Sequence, residues 1–256
     1  MSLVKLKLPP GVYKNGTAYE AQGRWQDSNM MRWIDGTMRP IGGWVYANGA
    51  LIDGPGRGIT TWKSNAGALQ GAIGTPNKLW AFDGDNLSDI TPTAFPDGNV
   101  DTLIGVGYGS GDYNDGIYGT STAGVASVAT TWSLDHFGEH LMACASHSRV
   151  IYEWALDTSV LPTAVAGAPS ANAVFVTPER FLVALGAGSN PRLVQWSDQE
   201  NATDWSPTAL NQAGDQELQT TGTILKGVRV RGQSLILTSS DVWTMRYIGP
   251  QLIYSF

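Results

Sequence analysis

Turn-forming residues interrupt this chain so often that long helices have no room. Of its 256 residues, 31 are glycine and 13 are proline, and few windows of twelve run free of both. An amphipathic helix needs apolar residues at i, i+3, i+4 and i+7 without such breakers inside. The best window, Leu156 to Val165, is cut by Pro162. Short apolar or alternating runs bounded by Gly, Pro, Asn and Asp are frequent instead, which is the pattern of strands joined by tight turns. The expected fold class is all-β.

Four segments share one form: an apolar strand, a short polar turn, then an alternating strand with a large aromatic. They are Leu69 to Phe82, Leu141 to Trp154, Phe181 to Trp196 and Leu235 to Met245. Each reads as an antiparallel hairpin. Trp80 and Phe82 are two apart, as are Tyr152 and Trp154, so each pair lies on one face of its strand. Successive starts are 72, 40 and 54 residues apart. Propeller blades repeat at about 40–50 residues. The long first interval contains a Gly/Asp/Ser/Thr-rich insertion around residues 97–130, with Gly105 to Gly124 expected as an exposed loop. Ala155 to Ala173 reads as a linker between blades.

The expected architecture is a β-propeller-like stack of small sheets over residues 59–256, with four recognisable blade hairpins. Aromatic and β-branched residues would fill the gaps between sheets. Glycine would serve tight turns and crowded strands. A β-sandwich is the structural rival. Residues 1–58 form a separate strand-rich arm with turn signals about every ten residues. Basic and aromatic residues gather there: Arg24, Trp25, Arg32, Trp33, Arg39 and Trp44. Arg24-Trp25 and Arg32-Trp33 have the composition to stack guanidinium on indole; the plainer expectation is an arm held down by its aromatics.

Composition narrows the function. Apolar residues make up 42% of the chain and ten are tryptophan, enough to bury a core. No apolar run approaches the ~20 residues that span a bilayer. Two lysines and Pro9-Pro10 in the first ten residues leave no stretch for a signal peptide. The single cysteine, Cys144, excludes an intrachain disulfide and a cysteine-rich zinc site. A net charge of −6 without a basic cluster argues against a groove-reading DNA binder.

Catalytic patterns are weak. His136-Phe-Gly-Glu139-His140 has the spelling of an inverted zinc peptidase. That chemistry needs both histidines on one helix face, and Gly138 sits inside the required helix. A turn leading into a strand is the expectation. A glycosidase would pair two carboxylates, but the spacing of Asp83, Asp85, Asp135, Glu139, Asp198, Glu200 and Asp204 singles out no pair. Asp112 to Gly116 fails as an EF-hand, because the glycine falls early and no acid follows. Gly105, Gly107, Gly109 and Gly111 lack the helix and acid of a dinucleotide site. Cys144 in Leu-Met-Ala-Cys-Ala reads as a buried, inert thiol. No catalytic, cofactor or metal residues are assigned. The candidate assembly and packing residues are Trp25, Trp33, Trp44, Trp80, Trp154, Trp196 and Trp243.

Several stretches together resemble the nozzle or hub proteins of short bacteriophage tails, sometimes called DNA-stabilisation proteins. They are Leu8 to Thr17 continuing through Gly23 to Trp25, Met31 to Gly36 and Pro40 to Trp44; Ile73 to Thr75, Leu79 to Phe82 and Leu87 to Pro92; Trp132 to Glu139; Val194 to Asp198 with Ala202 to Trp205; and Ser239 to Trp243 with Tyr247 to Pro250. The resemblance spans nearly the whole chain and rests on the order of short pieces. It implies a propeller subunit located in the virion, in a homo-oligomeric ring of six copies. Tail adaptor and distal tail proteins would be its partners, with double-stranded DNA passing through the lumen without sequence-specific contacts. Family members are longer, and four hairpins are few for a closed propeller. The sequence is therefore expected either to be part of a longer chain or to gain blades elsewhere. Two other functions fit a propeller: a host-surface or carbohydrate-binding adhesin with exposed tryptophans, and a glycoside hydrolase with convergent axial carboxylates.

Overall fold

The computed structural model describes residues 9–43, 45, 51–102 and 128–256. The chain divides into two compact units, Met1–Gly49 and Ala50–Phe256.

In the first unit, β1 (Met31–Ile34) and β2 (Thr37–Pro40) form an antiparallel hairpin. Its two-residue turn is Asp35-Gly36, with φ of 50° and 73°. Both are positive, as a type I′ turn requires, and its twist matches the strands. Val12 bridges to Trp25, and Tyr13 N donates to Trp25 O at 2.8 Å. The guanidinium of Arg24 lies over the ring of Tyr13, 5.5 Å from its centroid, and not over the adjacent Trp25. The expected Arg32–Trp33 stack is also corrected. Neighbours in a strand project to opposite faces, so the two side chains of β1 part. Trp25 and Trp33 are half-buried. Trp44 lies outside the described residues.

The second unit holds four four-stranded sheets, each an antiparallel meander in chain order. Blade 1 is β3 (Gly58–Lys63), β4 (Leu69–Gly74), β5 (Leu79–Phe82) and β6 (Leu87–Asp89). Blade 2 is β7 (Trp132–Phe137), β8 (His140–Ala145), β9 (Ile151–Trp154) and β10 (Thr163–Ala164). Blade 3 is β11 (Ala173–Val176), β12 (Leu182–Leu185), β13 (Leu193–Trp196) and β14 (Gly214–Glu217). Blade 4 is β15 (Ile224–Val230), β16 (Gln233–Thr238), β17 (Val242–Gly249) and β18 (Ile253–Ser255). Among the described residues there is no helix, and no sheet closes into a barrel. The fold is all-β and propeller-like. The four hairpins expected from sequence are the two middle strands of the four blades. The stretch from Ala155 to Ala173 carries β10, the outer strand of blade 2, and so does more than link blades.

The first strands meet in chain order: β3 packs against β7, β7 against β11, and β11 against β15. They therefore line a shared axis. Blades 2 and 3 are buried on both faces. One face of blade 2 presents Trp132, Leu141, Ala143, Ala145 and Trp154 to Trp62, Ala72, Leu79 and Ala81 of blade 1. Its other face presents Met142, Cys144 and Ile151 to Val174, Val176, Leu182 and Ala184 of blade 3. Blade 3 then packs Phe175, Val183, Leu185 and Trp196 on Ile224, Ile236 and Met245 of blade 4. Each of the larger aliphatic and aromatic side chains stabilises the stack by roughly 1.5–3 kcal/mol when fully buried, and each alanine by about 0.8 kcal/mol. Two close approaches depend on glycine. A Cβ at Gly74 would overlap the Trp132 indole, and one at Gly227 would overlap the Phe175 ring.

Candidate functional site

The first strands line an open axial cleft of about 380 Å³, formed by residues 57–60, 132–135, 174–175 and 226–229, one stretch from each blade. Strand periodicity selects its chemistry. Ser133 and Asp135 of β7 share the face toward blade 3. Ser133 Oγ donates to Val174 O and accepts from Val174 N, both at 3.1 Å. Asp135 Oδ2 accepts from Val176 N at 2.8 Å, and its Oδ1 accepts from Arg229 Nη2 at 2.8 Å and from His136 N at 2.9 Å. The carboxylate is 7% exposed. It therefore joins blade 2 to blades 3 and 4 at once. A buried carboxylate is tolerable only with such partners.

This arrangement leaves Asp135 little free acceptor capacity for proton transfer. Among the described residues it is the carboxylate in the cleft lining, beside the cations Arg57, Lys226 and Arg229. The other carboxylates considered from sequence are dispersed. Asp83 sits in the β5–β6 turn, where the N–H groups of Asn86 and Asp85 hold its carboxyl below the usual range; Asp85 is exposed in that turn. Glu139 accepts from Asn65 N at 3.0 Å, and Asp198 from Gln212 N at 2.7 Å. Glu200 pairs with Arg180 at 2.9 Å, and Asp204 accepts from Asn211 Nδ2 at 2.9 Å. Glu139 ties the β7–β8 turn of blade 2 to the β3–β4 turn of blade 1, the others serve blade 1's β5–β6 turn and the turns of blade 3, and they do not converge on the axis.

The His-x-x-Glu-His run straddles a hairpin. Gly138 (φ 68°) and Glu139 form the two-residue turn between Phe137 and His140, which pair across β7 and β8. A glycine with positive φ in the first position suits a type II′ turn. His140 Nδ1 lies 2.7 Å from Glu153 Oε1, and His136 stacks parallel to Trp62 with centroids 6.4 Å apart. Among the described residues, no three His, Cys, Asp or Glu side chains form a group able to hold a metal. Asp112 to Gly116, and the glycines from Gly105 to Gly111, lie outside the described residues. Cys144 is buried with Sγ 3.4 Å from Ala171 O, and burial pushes its thiol up to about 12.

The tryptophans separate by place. Trp154 belongs to the packing between blades 1 and 2, and its Nε1 donates to Asp157 O at 2.9 Å. Trp196 and Trp243 meet in the cluster between blades 3 and 4. Trp80 is half-buried on the outward face of blade 1, with Lys78 Nζ 5.3 Å above its ring. Sequence reasoning passed over Trp62, Trp132 and Trp205, which are more buried than most of the chosen set. The Asp135–Arg229 pair joins positions 94 residues apart and has no local signature. No described tryptophan is exposed. No helix among the described residues is long and apolar enough to cross a membrane.

No protein-family model matches the chain, and no curated protein matches it.

Proposed function

We propose that this chain is a structural virion protein of a bacteriophage tail, a nozzle or hub subunit. It forms part of the channel that retains the genome and then passes it into the host. In this reading six copies surround the tail axis, between an adaptor above and distal tail proteins below. DNA passes without sequence-specific contact. The observation that carries the reading is the use of the axial polar groups: Ser133, Asp135 and Arg229 bind blade to blade and leave no convergent acid–base pair in that lining. The stretch resembling tail proteins from Trp132 to Glu139 is β7 with its turn, the strand that contacts blades 1 and 3. The net charge of −6 suits a conduit, because a basic groove would grip phosphates.

Mass spectrometry of purified particles, with symmetry from electron microscopy, tests this. The protein is expected in the tail at ring stoichiometry, and particles lacking it are expected to lose packaged DNA. Its absence from the particle would end the reading.

A further inference from the structure

The register of the β1–β2 hairpin sorts the basic and aromatic residues of the first unit. Directly paired residues share a face, and faces alternate along a strand. One face therefore carries Met31, Trp33, Met38 and Pro40, and the other carries Arg32, Ile34, Thr37 and Arg39. Trp33 and Met38 on the apolar face are half-buried, whereas both arginines are exposed.

Arg32 and Arg39 stand directly opposite one another. Like charges so placed destabilise a strand pair unless an anion lies between them. The hairpin does not supply that anion. Its acid, Asp35, is in the turn, beyond the Ile34–Thr37 pair. The other described bases of the unit are engaged: Lys14 Nζ pairs with Asp27 at 2.9 Å, and Arg24 lies over Tyr13. Arg32 and Arg39 have no ion-pair partner among the described residues.

Charge distribution points to phosphate. Residues 1–49 contain six bases and three acids, a net +3, and residues 50–256 contain ten bases and nineteen acids, a net −9. A basic N-terminal body on an acidic chain is the asymmetry of a chain that meets nucleic acid. Two guanidinium forks side by side suit the several oxygens of a phosphate. The acids of the chain's own blades are poor candidates. Asp83, Asp198 and Asp204 accept hydrogen bonds in their own turns, and Glu200 and Glu217 hold Arg180 and Arg192.

We propose that the Arg32–Arg39 face of the hairpin binds the phosphate backbone of double-stranded DNA without reading its sequence. Phosphate contacts position a protein and carry no sequence information. The anion site rests on the hairpin register, and the choice of DNA as bearer of the phosphate rests on the tail reading above. The acidic second unit repels phosphates and the hairpin attracts them, so holding DNA and letting it pass fall to different parts of one chain.

The test is fluorescence anisotropy of a short labelled duplex of arbitrary sequence, titrated with the full chain at two salt concentrations. Two phosphate contacts give a log–log salt slope of about −1.8, so affinity is expected to fall about tenfold between about 50 and 200 mM salt, from a dissociation constant on the order of 10⁻⁴ M. Arg32→Gln and Arg39→Gln are each expected to take about 0.9 off that slope. Arg39→Glu places an acid opposite Arg32, so the hairpin closes the site with its own ion pair, and binding is expected to be lost with the fold kept. Arg246→Gln, at an exposed position of blade 4, is expected to leave the titration unchanged. Far-ultraviolet circular dichroism of each variant reports on folding. A chain that does not bind well above that dissociation constant at the lower salt would overturn the inference, and so would arginine variants that bind like wild type. A stronger response to polyglutamate, or to vesicles of phosphatidylglycerol, than to the duplex would also overturn it, since the anion would then belong to a protein or a lipid. Presence in the particle without arginine-dependent binding would defeat this inference and leave the virion reading standing. Arginine-dependent binding by a chain absent from the particle would do the reverse.

Discussion

Blades 2 and 3 differ from blades 1 and 4 in one respect, and it accounts for most of the energetics. All four are antiparallel meanders with a similar middle hairpin. The middle two are covered on both faces. In β11 and β12 every residue is buried. β17 alternates instead, with Met245 inside and Val242 and Thr244 outside, and β15 buries only Ile224 and Gly227, with a bulge between Ile224 and Lys226. The same strand geometry thus yields continuous hydrophobic runs where two neighbours are present and alternation where one is. What distinguishes a middle blade from an end blade is its surroundings and not its own topology.

The sharpest way to break that comparison uses equivalent positions. Trp154 of blade 2 and Phe82 of blade 1 occupy matching places in their hairpins, but Trp154 is 3% exposed and Phe82 half-buried. Trp154→Ala is expected to cost about 3–5 kcal/mol, because it opens a cavity between two sheets. Phe82→Ala is expected to cost under about 1.5 kcal/mol, because part of the ring already meets water. Urea unfolding at low protein concentration measures both. Equal losses would mean that blade 1 is covered within its own chain.

The axial ion pair gives the next largest effect. Asp135→Ala removes the acceptor for Val176 N and the partner of Arg229. Leaving a buried donor unpaired costs about 1–3 kcal/mol, and more where a charge is involved. Arg229→Met is expected to cost less, about 1 kcal/mol, since that side chain is more exposed and Asp135 keeps two N–H donors. A larger loss from Arg229→Met than from Asp135→Ala would show that the pair, and not the β7–β11 contact, holds the axis.

The same division explains what was legible in the sequence. The middle hairpins stood out because Gly, Pro and Asn mark their turns and because aromatics recur two apart, as with Trp80 and Phe82. The outer strands did not stand out. β10 is Thr163-Ala164 alone, too short to show a period, and β14 is Gly-Asp-Gln-Glu, polar because it lies at a sheet edge. Which tryptophans were central also escaped. Trp132 packs over Gly74, 58 residues earlier in the chain, and local pattern cannot register a contact at that separation. The turn inside His136 to His140 was readable, since Gly138 admits the positive φ that the hairpin needs.

A smaller effect comes from the thiol in the doubly covered blade 2. Burial raises the Cys144 pKa from 9.0 to about 12. An unfolded chain then releases this proton at lower pH than the folded one. The stabilising contribution is complete below about pH 9 and is lost as pH rises toward 12. Burial raises the hydroxyls of Tyr152 and Tyr254 in the same sense. Wild type is expected to lose urea resistance more steeply than Cys144→Ala between pH 9 and 11, and the native thiol is expected to resist labelling until the chain unfolds. Rapid labelling of the folded protein would place an opening between blades 2 and 3.

The smallest effect is expected on the outward face of blade 4. Val242→Thr exchanges a methyl for a hydroxyl at a site 60% exposed. The hydroxyl stays hydrated, the branched shape still suits a strand, and little apolar area leaves the core. Stability should change by no more than about 0.5 kcal/mol, as for most surface substitutions. The identical change at Val183, which is fully buried in β12, is expected to cost about 1–3 kcal/mol, because its hydroxyl would have to find a partner between sheets. Unfolding midpoints of the two variants, measured at low protein concentration, give the contrast between a blade with one neighbour and a blade with two. A Val242→Thr loss as large as that of Val183→Thr would mean that the outward face of blade 4 is already packed within the single chain.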